Sequence, residues 1–376
     1  MKPRHVWGRA FVALAALLLA GCSSSPSKPQ PGPMPSVAGG LSVSRAWTYN
    51  FAPAGGGALQ AAVNGTRVLL ATPQGLVVEV DADSGKEVWR LQLSETLAAG
   101  VGSDGRRHAV VTTSNQLVVV QEGREIWRQR LAAQGQTPPL VAGDRVFVLT
   151  ADRTVLAFDG GTGQRLWTLP RNADPLVLRQ AGVLAAVGDT LLASNGGRLS
   201  AIQPLSGQVR WELVIGSSRG TNEVERLVDL VAGLSRQGTV VCVRSFQTAV
   251  GCVDTARGQT LWTRPAQGHA GVDGDETRVF GVESDSKLRA WARSDGQVLW
   301  SDDQYRFREL TGPRVWGRAV VMGDAQGQLH LLDRADGRTL LRLPTDGSAI
   351  VERPVVAGRT LVTVNRSGLV TGWRAD

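Results

Sequence analysis

The sequence has little of the chemistry from which metal sites and nucleophile sites are built. Its 376 residues include three Cys, four His and two Tyr. His108, His269 and His330 fall far apart in the chain, without the spacing of a metal-ligand set. The Gly-x-Ser-x-Gly elbow, the phosphate-binding loop and a dinucleotide fingerprint in a strand–helix context are missing as well. These absences argue against an enzyme and predict no resident metal or cofactor.

Runs of one charge and long apolar runs are also scarce. The formal net charge is +8, but no Lys/Arg run is interleaved with aromatic residues, so a nucleic-acid partner is not indicated. The apolar run from Phe11 to Ala20 has ten residues, which is too short for a mature membrane-spanning helix. Because Lys2, Arg4 and Arg9 precede it, the run predicts a secretion signal.

The end of this signal is similar to a bacterial lipobox, Leu19-Ala20-Gly21-Cys22. The resemblance implies cleavage after residue 21 and acylation of the thiol and amine of Cys22, an attachment that holds a protein stably at a membrane. Ser23 follows the Cys, and this favours the outer membrane over retention at the inner membrane. The alternative is an ordinary secretory peptide with a Cys next to its cleavage site by chance.

The next segment, from Ser23 to Gly40, is rich in Ser, Pro and Gly, which is typical of a flexible tether. We therefore predict three parts. Residues 1–21 are a lipoprotein signal peptide, residues 22–40 are the lipidated Cys and its tether, and residues 41–376 are the folded domain.

Glycine and tryptophan are abundant, and they recur together. The sequence has 45 Gly and 11 Trp, and a Gly-x-x-x-Trp unit repeats along it. The copies lie at Gly85/Trp89, Gly123/Trp127, Gly163/Trp167, Gly207/Trp211, Gly258/Trp262 and Gly296/Trp300, with a seventh at Gly337/Leu341. Successive copies are 38, 40, 44, 51, 38 and 41 residues apart. A period near forty with turn and strand chemistry predicts the blades of a β-propeller.

Each repeat has the same order of short strands and turns. In the first, Arg67–Ala71 and Leu76–Val80 are β-branched runs bounded by turn residues, and Lys86–Leu93 carries the Trp. Strands such as Val146–Leu149 are apolar on both faces, as expected where sheets pack against neighbours on both sides. The Trp residues are therefore predicted to pack between blades and to need a backbone partner for their N–H groups.

The two ends of the repeat array complement each other. The segment Ser44–Phe51 contains Trp47 but has only linker before it, while the chain ends on Gly358–Val364 and Leu369–Arg374 without a closing Gly-x-x-x-Trp unit. Pairing the terminal strands would remove an open sheet edge. We therefore predict an all-β fold, an eight-bladed β-propeller of four-stranded blades whose ring is closed by pairing of the N- and C-terminal strands.

Two stretches exceed the length of a regular repeat, residues 170–179 and residues 217–238. Extra length in a repeat belongs in surface loops, which often carry binding sites. The alternative is that both loops are tolerated and have no role.

The two remaining Cys residues, Cys242 and Cys252, are ten residues apart. When Asp254 is aligned with Asp159, they fall on neighbouring strands and face each other across a hairpin. In an oxidising periplasm a disulfide between them is favoured. The alternative is a pair of buried free thiols.

The unit Asp-x-x-Thr-Gly-x-x-x-Trp, from Asp159 to Trp167, resembles the repeats of quinoprotein dehydrogenases, which bind pyrroloquinoline quinone and calcium inside an eight-bladed propeller. The chain is much shorter than those enzymes and has no adjacent Cys-Cys pair and no recognisable calcium-ligand set. A periplasmic quinone- or ligand-binding propeller is therefore the alternative function. The combination of lipobox, tether, orphan first strand and repeats more closely resembles the BamB family of outer-membrane assembly lipoproteins.

That resemblance implies a non-enzymatic scaffold of the β-barrel assembly machinery, the Bam complex, lipid-anchored on the periplasmic face of the outer membrane. It implies binding to the POTRA domains of BamA, with unfolded outer-membrane proteins as further candidate partners. The family's Leu-x-Leu-Arg contact loop is similar to Leu176, Leu178 and Arg179, and its first loop acid is similar to Asp229, while Val231 occupies the second acidic position. The alternative for the Leu pair is packing in a blade's inner strand.

Overall fold

The strands and glycine turns of the repeats build eight antiparallel sheets of four strands each. The structure is a computed structural model and describes residues 29–51, 57–171, 177–217 and 227–376. By its internal contacts the chain divides into Met1–Pro31 and Gly32–Asp376, and the strands of the described residues lie in the second unit. The predicted signal peptide, Cys22, the start of the tether and Leu176 lie outside the described residues.

The strands are numbered in chain order. The first is β1 (Val43–Asn50). Blades 1 to 4 follow, with β2 (Ala62–Asn64), β3 (Arg67–Ala71), β4 (Leu76–Asp81), β5 (Glu87–Gln92), β6 (Gly102–Ser103), β7 (Arg107–Val111), β8 (Gln116–Gln121), β9 (Arg124–Arg130), β10 (Leu140–Ala142), β11 (Arg145–Leu149), β12 (Val155–Asp159), β13 (Arg165–Leu169), β14 (Leu184–Val187), β15 (Thr190–Asn195), β16 (Arg198–Ile202) and β17 (Val209–Val214).

Blades 5 to 7 contain β18 (Leu230–Gln237), β19 (Val240–Ser245), β20 (Ala249–Asp254), β21 (Gln259–Pro265), β22 (Asp273–Gly274), β23 (Arg278–Val282), β24 (Leu288–Ala292), β25 (Val298–Asp302), β26 (Arg314–Trp316), β27 (Ala319–Gly323), β28 (Gln328–Asp333) and β29 (Thr339–Pro344). Blade 8 contains β30 (Val355–Ala357), β31 (Thr360–Val364) and β32 (Leu369–Ala375). Within each of blades 1 to 7 the four strands are hydrogen-bonded in sequence order.

The ring closes as predicted, because β1 is the outer strand of blade 8. It pairs antiparallel with β32, with Trp47 opposite Gly372 and Val43 opposite Ala375. The strand order in blade 8 is therefore β30-β31-β32-β1. The prediction of an eight-bladed propeller with four-stranded blades is confirmed.

The innermost strands are the elements that the sequence pattern missed. The pattern located second, third and fourth strands of the repeat, and β3 matches the predicted bounds Arg67–Ala71. The inner strands β6 and β22 are only two residues long, too short for any alternation to be recognised. The expectation that residues 217–238 form a loop was wrong for its second half, where Leu230–Gln237 is the inner strand of blade 5.

The middle strands form the core of the propeller. In β11 the residues Val146–Leu149 are all buried, as are all five residues of β7. The outer strands differ, since β13 alternates between exposed and half-buried positions. This confirms that the apolar runs are buried on both sides of each blade.

Antiparallel pairing gives the propeller two different faces. The turn face carries two kinds of turn, those between first and second strands and those between third and fourth strands. The two kinds of turn contact each other, since the Ala82 amide donates to the Thr66 carbonyl. The loop face carries the second-to-third hairpins and the connections to the next blade. There, the Leu93 amide donates to the Gly75 carbonyl.

On the turn face, the two fixed residues of the repeat meet across the blade interface. A Cβ built on Gly163 in blade 3 would lie 2.7 Å from the Trp127 ring of blade 2, so only glycine leaves room for the indole. Gly163 also has a φ of +73°, which favours glycine. The Trp127 indole N–H donates to the Gly160 carbonyl at 2.9 Å.

The same contact recurs around the ring. The Trp–Gly pairs are Trp47/Gly85, Trp167/Gly207, Trp211/Gly258, Trp262/Gly296 and Trp300/Gly337. Blade 7 carries Leu341 where the other blades carry Trp, and its neighbour is blade 8. Blade 8 has no glycine turn before its outer strand, because that strand is β1 from the other end of the domain. The Leu therefore stands where the indole would have no turn to pack on.

Candidate functional site

The predicted contact residues within the described ranges converge on the loop face between blades 3 and 5. Leu178 and Arg179 lie in the connection from blade 3 to blade 4, and Asp229 immediately precedes the inner strand of blade 5. Leu178 and Asp229 line the same small cavity. Although 51 residues separate them, the Leu178 amide donates to Asp229 Oδ2 at 3.1 Å.

Asp229 is held in place by a partner that sequence reasoning did not single out. Arg153, in the hairpin between β11 and β12, donates from Nη2 to Asp229 Oδ1 at 3.0 Å. The side chains of Arg153 and Asp229 are only 11% and 18% exposed, so both carboxylate oxygens are engaged within the protein. Arg153, Asp229 and the Leu178 amide form a bracket that links blades 3 and 5 to the contact loop. We refer to these three groups as the loop bracket.

The backbone around Asp229 is fixed as well. Its carbonyl accepts a hydrogen bond from the Phe246 amide at 2.8 Å, and the next amide, that of Leu230, donates to the Gly196 carbonyl at 2.9 Å. These bonds tie Asp229 to the hairpins of blades 4 and 5. The carboxylate is therefore presented to the contact loop from a rigid base.

Arg179 extends the site toward the middle of the ring. It is exposed, and within the described part of the chain no hydrogen bond or ion pair engages its guanidinium. Arg179 and Gln180 line a central cavity of about 780 Å³ to which connections from all around the ring contribute. The Gln180 side-chain amide donates to the His269 carbonyl at 2.6 Å, so the contact loop reaches the mouth of the central channel.

The channel mouth contains charged groups in a desolvated setting. Burial raises the pKa of Glu352 from 4.5 to about 7. Burial also lowers the pKa of the neighbouring Arg353, whose Nη1 donates to the Val272 carbonyl at 3.3 Å. Arg366 lines the same cavity. Charged groups in such a setting are sensitive to anything that covers the mouth, because their interactions strengthen as water is removed.

The second acidic position of the contact loop has a different role here. Val231 is fully buried and lies in β18 opposite Arg244. It is a core residue of blade 5, so among the described residues Asp229 is the acid of this loop region that touches the contact segment. The sequence gives no signal for Arg153, since it lies in an ordinary hairpin 76 residues before Asp229.

Cys242 and Cys252 lie away from this site, in the second and third strands of blade 5. They are direct partners across β19 and β20, in the register that the alignment with Phe147 and Ala157 predicts. Their Cα atoms are 4.0 Å apart and their sulfur atoms are bonded in the structure. The Arg293 guanidinium, from blade 6, lies 3.4 Å from Cys242 Sγ.

The described ranges hold neither a metal-ligand group nor a membrane-spanning helix. Residues 29–51, 57–171, 177–217 and 227–376 contain no group of three or more His, Cys, Asp or Glu side chains placed to hold a metal ion. Over the same residues, there is no helix with the length and apolarity needed to cross a membrane.

Comparison with known proteins places the chain among bacterial assembly factors. The family model described as outer membrane protein assembly factor BamB matches residues 41–99 and 73–302. The outer membrane protein assembly factor BamB of Burkholderia pseudomallei is 35% identical over 366 residues, which cover 96% of this chain and 96% of that protein.

Solved structures agree on the fold. The crystal structure of BamB from Moraxella catarrhalis superposes with a TM-score of 0.81 at 23% identity, covering 89% of this chain and all of that one. A quinohemoprotein alcohol dehydrogenase from Comamonas testosteroni superposes with a TM-score of 0.67 at 13% identity, over 88% of this chain and 76% of that one. That enzyme therefore shares the architecture, whereas sequence identity over nearly the full length is shared with the assembly factors. We conclude that this chain belongs to the BamB family of outer membrane protein assembly factors.

Proposed function

We propose that this protein is a lipid-anchored scaffold of the β-barrel assembly machinery that binds the POTRA domains of BamA through the loop face. The observation that carries the proposal is the loop bracket. It holds the Leu178–Arg179 segment against the body of the propeller, while the Arg179 guanidinium stays exposed at the channel mouth. A preformed segment of this kind loses little conformational freedom when a partner binds.

The proposed roles of the contact residues follow from their chemistry. Leu176 and Leu178 supply apolar anchors, and Arg179 supplies a planar set of donors for a carboxylate or carbonyl of the partner. Asp229 holds the loop in place and does not itself contact the partner, because Arg153 and the Leu178 amide already occupy its two oxygens. We therefore assign Asp229 as a positioning residue, in place of the direct contact that the family resemblance implies.

Membrane attachment is the second part of the proposal. Residues 1–21 are removed as a signal peptide, Cys22 is acylated, and the lipid holds the propeller on the periplasmic face of the outer membrane. The family's role in outer membrane protein assembly supports this location. Mass spectrometry of the mature protein would show acylation at Cys22, and a chain that remains unmodified would contradict the anchor without affecting the docking site.

The docking proposal is tested by binding of the lipid-free chain, from Ser23 to Asp376, to the POTRA domains of BamA from the same organism. Leu176→Ala, Leu178→Ala and Arg179→Ala should each weaken binding by about tenfold, the size expected for anchors at the centre of an interface. Leu205→Ala is the matched control, because Leu205 is an exposed leucine on the turn face, 63% accessible.

Circular dichroism of each variant separates lost contact from lost folding. Unchanged affinity in folded Leu178→Ala and Arg179→Ala chains would contradict the proposed docking site. Absence of binding by the folded wild-type chain would contradict the partner itself.

A further inference from the structure

A pocket lies on the loop face between blades 5 and 6, next to the site described above. Its volume is about 920 Å³. The hairpin between β19 and β20 forms one wall, and the hairpin between β23 and β24 forms another. The two hairpins are joined where the Gln247 side-chain amide donates to Ser284 Oγ at 2.6 Å. We call this cavity the blade 5–6 pocket.

A buried cluster of charges forms the floor of the pocket. Glu283 lines the pocket and is 5% exposed. Arg244 Nη1 lies 3.6 Å from Glu283 Oε2, and Arg289 Nε lies 3.7 Å from Glu283 Oε1. Both distances exceed the length of a hydrogen bond. Within the described part of the chain, no side-chain nitrogen of Arg244 and no carboxylate oxygen of Glu283 has a hydrogen-bond partner. Because desolvated charges without hydrogen bonds are costly, this cluster calls for a functional explanation.

The fold makes room for the Arg244 guanidinium. Arg244 is fully buried in β19. A Cβ on Gly268 would lie 1.9 Å from Arg244 Nη1, and one on Gly281 would lie 2.3 Å from Arg244 Nη2. Neither glycine has a positive φ, so a left-handed backbone does not require them. The two glycines therefore leave space for a cation beneath the pocket.

The pocket carries an excess of positive charge. Arg306 Nη2 lies 2.7 Å from Asp285 Oδ2, so the charges of this pair cancel. Glu283 is then the remaining acid among the described residues of the pocket, and it faces three cations: Arg244, Lys287 and Arg289. A cleft with one sign of charge and low-dielectric walls concentrates ligands of the opposite sign.

Two of the three cations can donate hydrogen bonds to a ligand. Lys287 is half-buried, and the Arg289 side chain is 31% exposed. Over the described ranges, no hydrogen bond or ion pair engages the Lys287 ammonium, and no hydrogen bond engages the Arg289 guanidinium. An ammonium and a guanidinium with available N–H groups suit carboxylates, which form strong charge-assisted hydrogen bonds.

We propose that the blade 5–6 pocket binds an acidic segment of a polypeptide partner, whose carboxylates accept hydrogen bonds from Lys287 and Arg289. Arg244 is fully buried, so it adds its charge from beneath the floor without touching the ligand. The pocket falls in the range of about 300–1,000 Å³ that is typical of sites for organic ligands, which is more room than an inorganic anion needs. Its lining also mixes apolar and polar side chains, as a peptide segment requires: Phe246, Thr248, Pro265, Ala266 and Gln267.

The pocket adjoins the loop bracket. Phe246 lines the pocket, and its amide donates to the Asp229 carbonyl at 2.8 Å. A partner docked on the Leu178–Arg179 segment is therefore within reach of the pocket, and we assign the acidic segment to that partner. This assignment rests on the proposed function, in which the partner is the POTRA domains of BamA.

The pocket is tested first without the partner, using the mature chain in a non-ionic detergent. Calorimetric titration compares capped tetraglutamate with capped tetraglutamine, and the wild type should bind tetraglutamate several-fold more tightly. The Lys287→Gln/Arg289→Gln chain should lose this preference. Arg130→Gln is the matched control and should keep it, because Arg130 is exposed at the end of β9 in blade 2.

Circular dichroism verifies that each variant is folded. Equal binding of the two peptides by the wild type, or a preference that survives in the double variant, would overturn the pocket. Displacement of tetraglutamate by equimolar inorganic phosphate would show a general anion site and would overturn the polypeptide ligand.

The assignment to the docked partner is tested by affinity for the POTRA domains of BamA. The Lys287→Gln/Arg289→Gln chain should bind them several-fold more weakly than the wild type, and the loss should shrink as salt is added. Unchanged affinity would overturn the assignment to this partner. If the folded wild type does not bind the POTRA domains, the proposed function is contradicted, and the peptide titration still decides the pocket.

Discussion

On the turn face, glycine-centred turns repeat one geometry around the ring, whereas on the loop face the connections differ in length and each has its own contacts. The Trp127 indole packs on Gly163 and bonds the Gly160 carbonyl, and the close packing of a Trp ring on a motif glycine recurs at five other blade interfaces. The loop bracket, by contrast, occurs once and joins residues 76 apart in the chain. The turn face holds the propeller together, and the loop face carries what is individual to this protein.

The two faces should therefore tolerate substitutions to different degrees. A residue in a turn-face turn must adopt the backbone conformation of that turn and must also leave room for the indole of the preceding blade. A loop-face position has fewer such constraints, so charged residues such as Glu352 can remain in a desolvated setting. Substitutions on the two faces should therefore differ in their effect on stability.

The first prediction isolates the Trp–Gly contact. Gly163 and Gly123 have nearly the same φ, +73° and +72°, but a Cβ on Gly163 meets the Trp127 ring at 2.7 Å, and one on Gly123 meets Trp89 at 3.6 Å. Either Gly→Ala change costs about 1–2 kcal/mol for the left-handed backbone. The collision in Gly163→Ala adds about 1–3 kcal/mol.

Urea unfolding of Gly163→Ala and Gly123→Ala measures this difference directly. Equal losses in the two variants would show that the indole contact does not restrict the turn, and would remove the physical basis for the motif on the turn face.

The second prediction concerns the channel mouth on the loop face. Burial raises the pKa of Glu352 from 4.5 to about 7, so between these values the folded protein keeps a proton that the unfolded chain has lost. The free energy of unfolding therefore decreases as the pH rises through this window. Glu352→Gln cannot ionise, and at about pH 8 it should be more stable than the wild type by up to about 3 kcal/mol.

Near pH 4 both chains are neutral at this position, and their stabilities should agree. Chemical unfolding at the two pH values provides the measurement. If the two chains differ in stability by the same amount at both pH values, the difference is a packing effect, and the raised pKa of Glu352 is contradicted.

The third prediction concerns blade 5, whose inner strand follows the long loop-face connection. We propose that Cys242 and Cys252 stay oxidised in the periplasm and staple its middle strands. A disulfide that closes so short a loop contributes about 2–3 kcal/mol. Reduction with dithiothreitol should lower the free energy of unfolding by that amount in the wild type and leave the Cys242→Ala/Cys252→Ala chain unaffected. Titratable thiols in the untreated, unfolded protein would contradict the bond.

The fold could be predicted from sequence because the turn face repeats its requirements locally. Gly163 and Trp167 are four residues apart, so the repeated spacing reveals seven copies of the motif, and the unpaired strands at the two ends of the array supply the eighth blade. The two-residue strand β6 leaves no such trace. The ion pair of Arg153 and the entry of Leu230 into a strand depend on neighbours that are distant in sequence and occur once, so no period reveals them.

The most direct test of the docking site is a double-mutant cycle between Asp229 and Leu178, with affinity for the POTRA domains of BamA as the readout. If Asp229 acts by positioning the loop, Asp229→Ala and Leu178→Ala should each weaken binding by about tenfold. The double variant should then be clearly less than a hundredfold weaker, since coupled residues are not additive. Fully additive losses would mean that Asp229 contacts the partner independently, and would contradict the loop bracket as the basis of the site.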